Sequence, residues 1–106
     1  MGRVRVKLRA WEGSMGHFVI EVTSQNRYDE PMVQTTLSEI LMMDMQAKEV
    51  GRIQGEDCVD MVYELNGQEI YLTSDHWAPI AIVTPSVEIQ NEMVVRLTTR
   101  FEVSSE

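Results

Sequence analysis

The chain has 106 residues, 43% of them hydrophobic and 25% charged, with six glycines and three prolines. That composition excludes a disordered acidic tail, a collagen-like chain and a coiled coil, and it sets one domain with a modest core as the expectation. Seventeen acids against nine bases give a formal net charge of −8, a field that repels phosphate, so direct nucleic-acid binding is not expected.

Val4, Val6, Leu8 and Ala10 alternate with Arg3, Arg5, Lys7 and Arg9, the period of two that marks a half-buried strand. Glu12 to Gly16 has turn composition, and Phe18, Ile20 and Val22 alternate again, so the first third predicts a β-hairpin. Residues 24–31, with Asn26, Asp29 and Pro31 as breakers, read as a connection. Two readings of the next stretch stand side by side. The β-branched and apolar run over 33–43 predicts a strand, followed by a short helix over 44–51 with Asp44 as N-cap and Gly51 as C-cap. Alternatively, one helix runs from Pro31 to Val50, with Pro31 in its first turn.

Val59, Met61, Tyr63 and Leu65 alternate, and Asn66-Gly67 separates them from Gln68 to Thr73, which predicts a tight hairpin. Residues 79–84 read as a short strand buried on both faces, residues 87–91 as a turn, and residues 93–103 as a last strand. The predicted class is α+β: a mostly antiparallel sheet of five to seven strands with one or two short helices, in two layers, as a single domain over 1–106.

Catalytic chemistry finds little to work with. His17 and His76 stand in no spaced ligand pattern, and His76 reads as a loop residue. Cys58 follows Glu56-Asp57, whose carboxylates hold a thiol protonated. It is the only cysteine, so an intrachain disulfide framework and a thiolate zinc site are excluded. No catalytic residue, metal or cofactor is expected. The longest apolar run, Ile40 to Met43, is far too short to span a membrane, and no signal-peptide core is present, so the expectation is a soluble cytoplasmic protein. The charge is uneven: residues 1–37 carry five bases and four acids, and residues 38–106 carry thirteen acids and four bases. The cluster Met42, Met43 and Met45 beside Asp44 and Glu49 offers apolar and acidic groups together, the make-up of a protein-binding edge.

Ser38-Glu39-Ile40-Leu41-Met42-Met43, the acidic stretch ending Glu49-Val50-Gly51, and Leu72-Thr73-Ser74-Asp75 resemble the phage uracil-DNA glycosylase inhibitors. Glu56-Asp57 ahead of a strand holding Tyr63, and Pro79, Ala81 and Val83 after the Thr-Ser-Asp turn, extend the likeness over about 37–97. The family's glutamate-then-serine order stands here as Ser38-Glu39. Residues 1–36 read as an added N-terminal hairpin and connection to an inhibitor-like core over 37–106. The resemblance implies a DNA mimic: an acidic edge strand around Ser38 to Met42 enters the enzyme's DNA groove, and Gln46 and Glu49 contribute from a following helix. Leu41, Met42, Ala47, Val50, Ile70, Leu72 and Val83 would line a pocket for the enzyme's intercalating leucine, with Asp75 at its rim. The implied partner is a bacterial uracil-DNA glycosylase in an infected host, bound one to one by a monomer. Two alternatives stand beside it: an anti-defence inhibitor of another basic DNA-binding protein, and a β-rich phage assembly module.

Overall fold

The alternation near the N-terminus builds the hairpin it predicts. Strands β1 (Arg5–Glu12) and β2 (Phe18–Ser24) pair antiparallel with Leu8 opposite Val22 and Ala10 opposite Ile20. Val6, Ile20 and Val22 on one face are buried. The computed structural model describes residues 4–75 and 80–104, the side chains of Arg27 and Asp75 excepted; His76 and Pro79 lie outside the described residues.

The next segment is helical, not extended. Helix α1 (Glu30–Glu39) has Pro31 in its first turn, where the missing N–H would be unpaired anyway, and it runs on as a π-helical stretch over Ile40–Asp44. Val33, Leu37, Ile40 and Leu41 are fully buried, the spacing of one helical face. At about 1.5–3 kcal/mol for each large apolar side chain removed from water, that stripe outweighs the strand preference of Val33, Thr35 and Thr36. The Thr35 hydroxyl donates to the Pro31 carbonyl at 3.0 Å, which satisfies it inside the helix. The expected strand over 33–43 is therefore corrected to helix. The expected helix over 44–51 is corrected as well. The Met45 N–H donates to the Ile40 carbonyl at 2.9 Å and the Ala47 N–H to the Leu41 carbonyl at 2.7 Å. Gln46 takes a left-handed φ of 61°, and the helix ends there. Strand β3 (Lys48–Gln54) follows, with Gly51 at a bulge rather than a helix cap.

Strands β4 (Cys58–Leu65) and β5 (Gln68–Asp75) form the predicted hairpin. Asn66 at φ 53° and Gly67 at φ 78° are the turn that Asn-Gly favours. Strand β6 (Ile80–Thr84) buries Ile80, Ile82 and Thr84 on one face while Ala81 and Val83 are half-buried on the other, so it alternates and is not buried on both faces. The expected turn at 87–91 and strand at 93–103 are corrected to helix α2 (Val87–Arg100) and a three-residue strand β7 (Glu102–Ser104). The Ser86 hydroxyl caps α2 by accepting the Ile89 N–H at 3.3 Å, and Ile89, Met93 and Leu97 form its buried stripe.

Among the described residues the sheet has seven strands in the order β3-β4-β5-β6-β2-β1-β7, antiparallel except for β1 with β7. The N-terminal hairpin thus lies within the sheet, with β2 against β6 and β1 against β7. Helix α1 carries the chain from β2 across three strands to β3, and α2 carries it from β6 across two strands to β7. The two crossovers leave antiparallel strands in opposite directions. A connection of one hand then puts both helices on the same face of the sheet. The core forms there, with Val33, Leu37, Ile40, Leu41, Ile89, Met93, Leu97 and Phe101 packed on Val6, Ile20, Ile70, Leu72 and Ile82. The fold is α+β in two layers.

Candidate functional site: an acidic sheet edge

Strand β3 is the outermost strand of the acidic half of the sheet. Among the described residues it pairs with β4 on one side only, and all seven of its own residues are exposed. Its register places Lys48 opposite Glu64, Glu49 opposite Tyr63 and Ile53 opposite Asp60, with a bulge at Val50 between Glu49 and Gly51. Val50 is 47% and Ile53 57% exposed. The Gly55 N–H donates to the Cys58 carbonyl at 2.8 Å, closing the β3–β4 turn with Glu56 and Asp57 at its exposed tip. Residues 48–69 carry six acids, Glu49, Glu56, Asp57, Asp60, Glu64 and Glu69, against Lys48 and Arg52. The phenol of Tyr71 registers this field: the neighbouring Glu69 carboxylate, partial burial, its hydrogen bond to Glu69 at 3.3 Å and the charge of Asp60 push its pKa above the usual tyrosine value.

Such an edge offers a row of unpaired backbone N–H and C=O groups for strand addition by a partner. The bulge and the charges at Lys48, Glu49 and Arg52 limit indiscriminate pairing, so pairing favours a partner whose charge complements the edge.

The residues proposed from sequence are dispersed. Ser38 lies on α1, and its hydroxyl is hydrogen-bonded at 2.6 Å to the buried hydroxyl of Tyr63. Glu39 ends α1, 3.6 Å from the Arg100 guanidinium, which also binds the Asp44 carboxylate through two nitrogens at 2.9 and 3.2 Å. Arg100 thus ties α2 to the end of the π-helical stretch and neutralises two of the acids expected to face a partner, and Asp44 is no helix N-cap. Asp44 chiefly makes the Arg100 guanidinium harder to deprotonate than usual.

Leu41, Ala47, Ile70 and Leu72 do come together, as the resemblance implies, but inside the protein's own core. The pocket they were expected to line is filled by Leu37, Ile40, Met45 and Tyr63 of the same cluster. Met42 is exposed on the outside of the π-helical stretch, and Gln46 is exposed at the turn into β3. Val83 lies on the opposite face of the sheet from Leu72, since its neighbour across β5 is Tyr71. Asp75 is the last residue of β5, and its side chain lies outside the described residues. Of the expected set, Glu49 and Val50 stand on the free edge.

Sequence reasoning missed Ile53 and the β3–β4 hairpin, and it placed Val50 in an internal pocket instead of on the edge. The signal available was the polar turn Gly55-Glu56-Asp57 between Ile53 and Val59, masked by the bulge, which breaks the alternation of β3. Among the described residues no three His, Cys, Asp or Glu side chains gather as a metal site, and no helix is long and apolar enough to cross a membrane. No known protein family, curated protein or solved structure matches the chain.

Proposed function

We propose that this protein is a non-catalytic inhibitor that presents an acidic, DNA-like sheet edge to the basic groove of a DNA-binding enzyme. The target we propose is uracil-DNA glycosylase, for which the sequence resemblance speaks. The observation that carries the reading is the free edge of β3, exposed along its whole length within a segment of six acids and two bases. Glu49, Glu56, Asp57 and Glu64 take the part of phosphates, and complementary charge speeds encounter with a basic groove. Backbone pairing along β3 and contact with Val50 and Ile53 then slow release. Because Leu41, Ile70 and Leu72 are core residues, the apolar contact is assigned to Val50 and Ile53 instead of an internal socket.

The test is uracil release from a duplex by a bacterial uracil-DNA glycosylase titrated with this protein. Release should stop near one inhibitor chain per enzyme. Exchanging Glu49, Glu56 and Asp57 for lysine should relieve the inhibition and remove its dependence on salt. Unimpaired release at a molar excess would remove this enzyme as the target. The edge would then be tried against other basic DNA-binding enzymes, since nothing in its charge or backbone is peculiar to one of them.

A further inference from the structure

With both helices on one side, the other face of the sheet carries no packed element among the described residues. The strand registers order its side chains in rows. One row, from β4 to β1, reads Val62, Tyr71, Val83, Val19, Trp11. All five are apolar or aromatic; Val62 is buried by its neighbours and the other four are half-buried. The next row reads Asp60, Thr73, Ala81, Glu21, Arg9. Glu64 and Glu69 extend the acidic side on β4 and β5, while Lys7 joins Arg9 on β1 as an exposed base. The face is therefore mainly acidic at one end, apolar in the middle and mainly basic at the other, with β6 at its centre; Lys48 beside Glu64, Glu21 beside Arg9 and Glu102 beside Arg5 are the exceptions.

We propose that two copies of this chain pack these faces together about a twofold axis that runs parallel to the strands beside β6. Such an axis exchanges β5 with β2 and β4 with β1 while preserving position along the strands. Each row then folds onto itself. Val83 meets Val83 at the axis, Tyr71 meets Val19, and Val62 meets Trp11. One step along, Asp60 of each copy meets Arg9 of the other. Any other in-plane axis sets acid on acid or displaces the apolar row. Asp60 is half-buried on this face: its Oδ1 is covered by the chain's own atoms, and the remainder of the side chain is what a second copy can reach. Arg9, which stacks its guanidinium 5.0 Å from the Trp11 ring centroid, delivers a planar set of donors opposite it.

Seven strands at about 4.8 Å and roughly five residues along each give a footprint on the order of 500 Å² per copy, at the small end for a specific interface. The dimer is accordingly weak, dependent on concentration and sensitive to salt. The outer backbone of β3 points sideways out of such a sandwich, so each chain keeps its free edge and the dimer presents two.

Sedimentation of the protein alone tests this independently of any enzyme target. At low salt the parent should shift from monomer to dimer as concentration rises, and molar salt should reverse the shift. Arg9→Asp should weaken association at least about tenfold, as should Asp60→Arg, and the doubly exchanged protein should recover most of it. Val83→Arg, which sets two like charges at the axis, should give a monomer whose circular dichroism matches the parent, so that loss of association is not mistaken for loss of fold. A parent that stays monomeric at its highest concentration in low salt would overturn the proposal. So would a dimer indifferent to Val83→Arg, or a double exchange no better than either single one.

Discussion

Ser38 was expected to touch a partner; in the fold it holds a core hydroxyl. Its Oγ lies 2.6 Å from the hydroxyl of Tyr63, whose side chain is 1% exposed. Ser38→Ala removes no appreciable apolar contact, yet it leaves a buried phenol hydroxyl without this partner. Such a loss costs the desolvation of the group, about 2 kcal/mol, rather than the smaller net worth of one hydrogen bond. For a domain of this size that corresponds to a fall in Tm of about 10 °C. Urea denaturation should show a lower midpoint with an unchanged slope, because the surface exposed on unfolding is the same. Adding Tyr63→Phe removes the stranded hydroxyl, so the double variant should be more stable than Ser38→Ala alone, with a coupling of about 1 kcal/mol between the sites. If Ser38→Ala lies within about 0.5 kcal/mol of the parent, or if the second substitution only adds damage, the reasoning fails.

Leu72→Ala should destabilise the fold by about 3 kcal/mol in denaturant titration, as expected for a fully buried leucine; near-parent stability would mean an open socket at that position. Gln46→Gly should raise stability by about 0.5–1 kcal/mol, since Gln46 holds a left-handed φ of 61° that glycine adopts freely; a lower thermal midpoint would contradict it. Glu69→Gln should lower the alkaline titration of Tyr71, followed by phenolate absorbance. The folded pKa of this tyrosine is raised, chiefly by Glu69, above its unfolded value of about 10. Stability is therefore lost as pH climbs through the folded pKa, and the variant should lose less of it. A titration curve identical to the parent's would refute the assignment.

The sheet was largely legible because its signals are local. Alternation around Val6, Ile20, Tyr63 and Leu72 and the Asn66-Gly67 turn each fix a strand pair within a few residues. Helix α2 was misread, and α1 stood only as the alternative reading of a helix from Pro31, for one reason. In α1 the apolar stripe begins at Val33, and counting from the exposed Met32 hides its helical period. In α2 the apparent alternation of Met93, Val95 and Leu97 sets an exposed Val95 between two buried residues, and the helical step from Ile89 to Met93 to Leu97 is the one that buries. Thr98 and Thr99, which favour strands, are accommodated by donating to the Val95 and Arg96 carbonyls at 2.7 Å.

The candidate site was less legible than the fold. Leu41, Ile70 and Leu72 were correctly grouped, but grouping cannot tell a filled core from an empty pocket. Glu39 and Asp44 were read as free acids because their partner, Arg100, lies 56 residues or more along the chain. The charge order across the bare face, from Asp60 to Arg9, depends on strand order, which no local pattern encodes.

Amide hydrogen exchange with and without a bacterial uracil-DNA glycosylase tests the edge-docking account most directly. Strand β3 has unpaired backbone on its outer side, so binding should protect amides within Lys48–Gln54 and leave those of α2 unchanged. Protection confined to the helices, or none on any strand at saturating enzyme, would contradict the account.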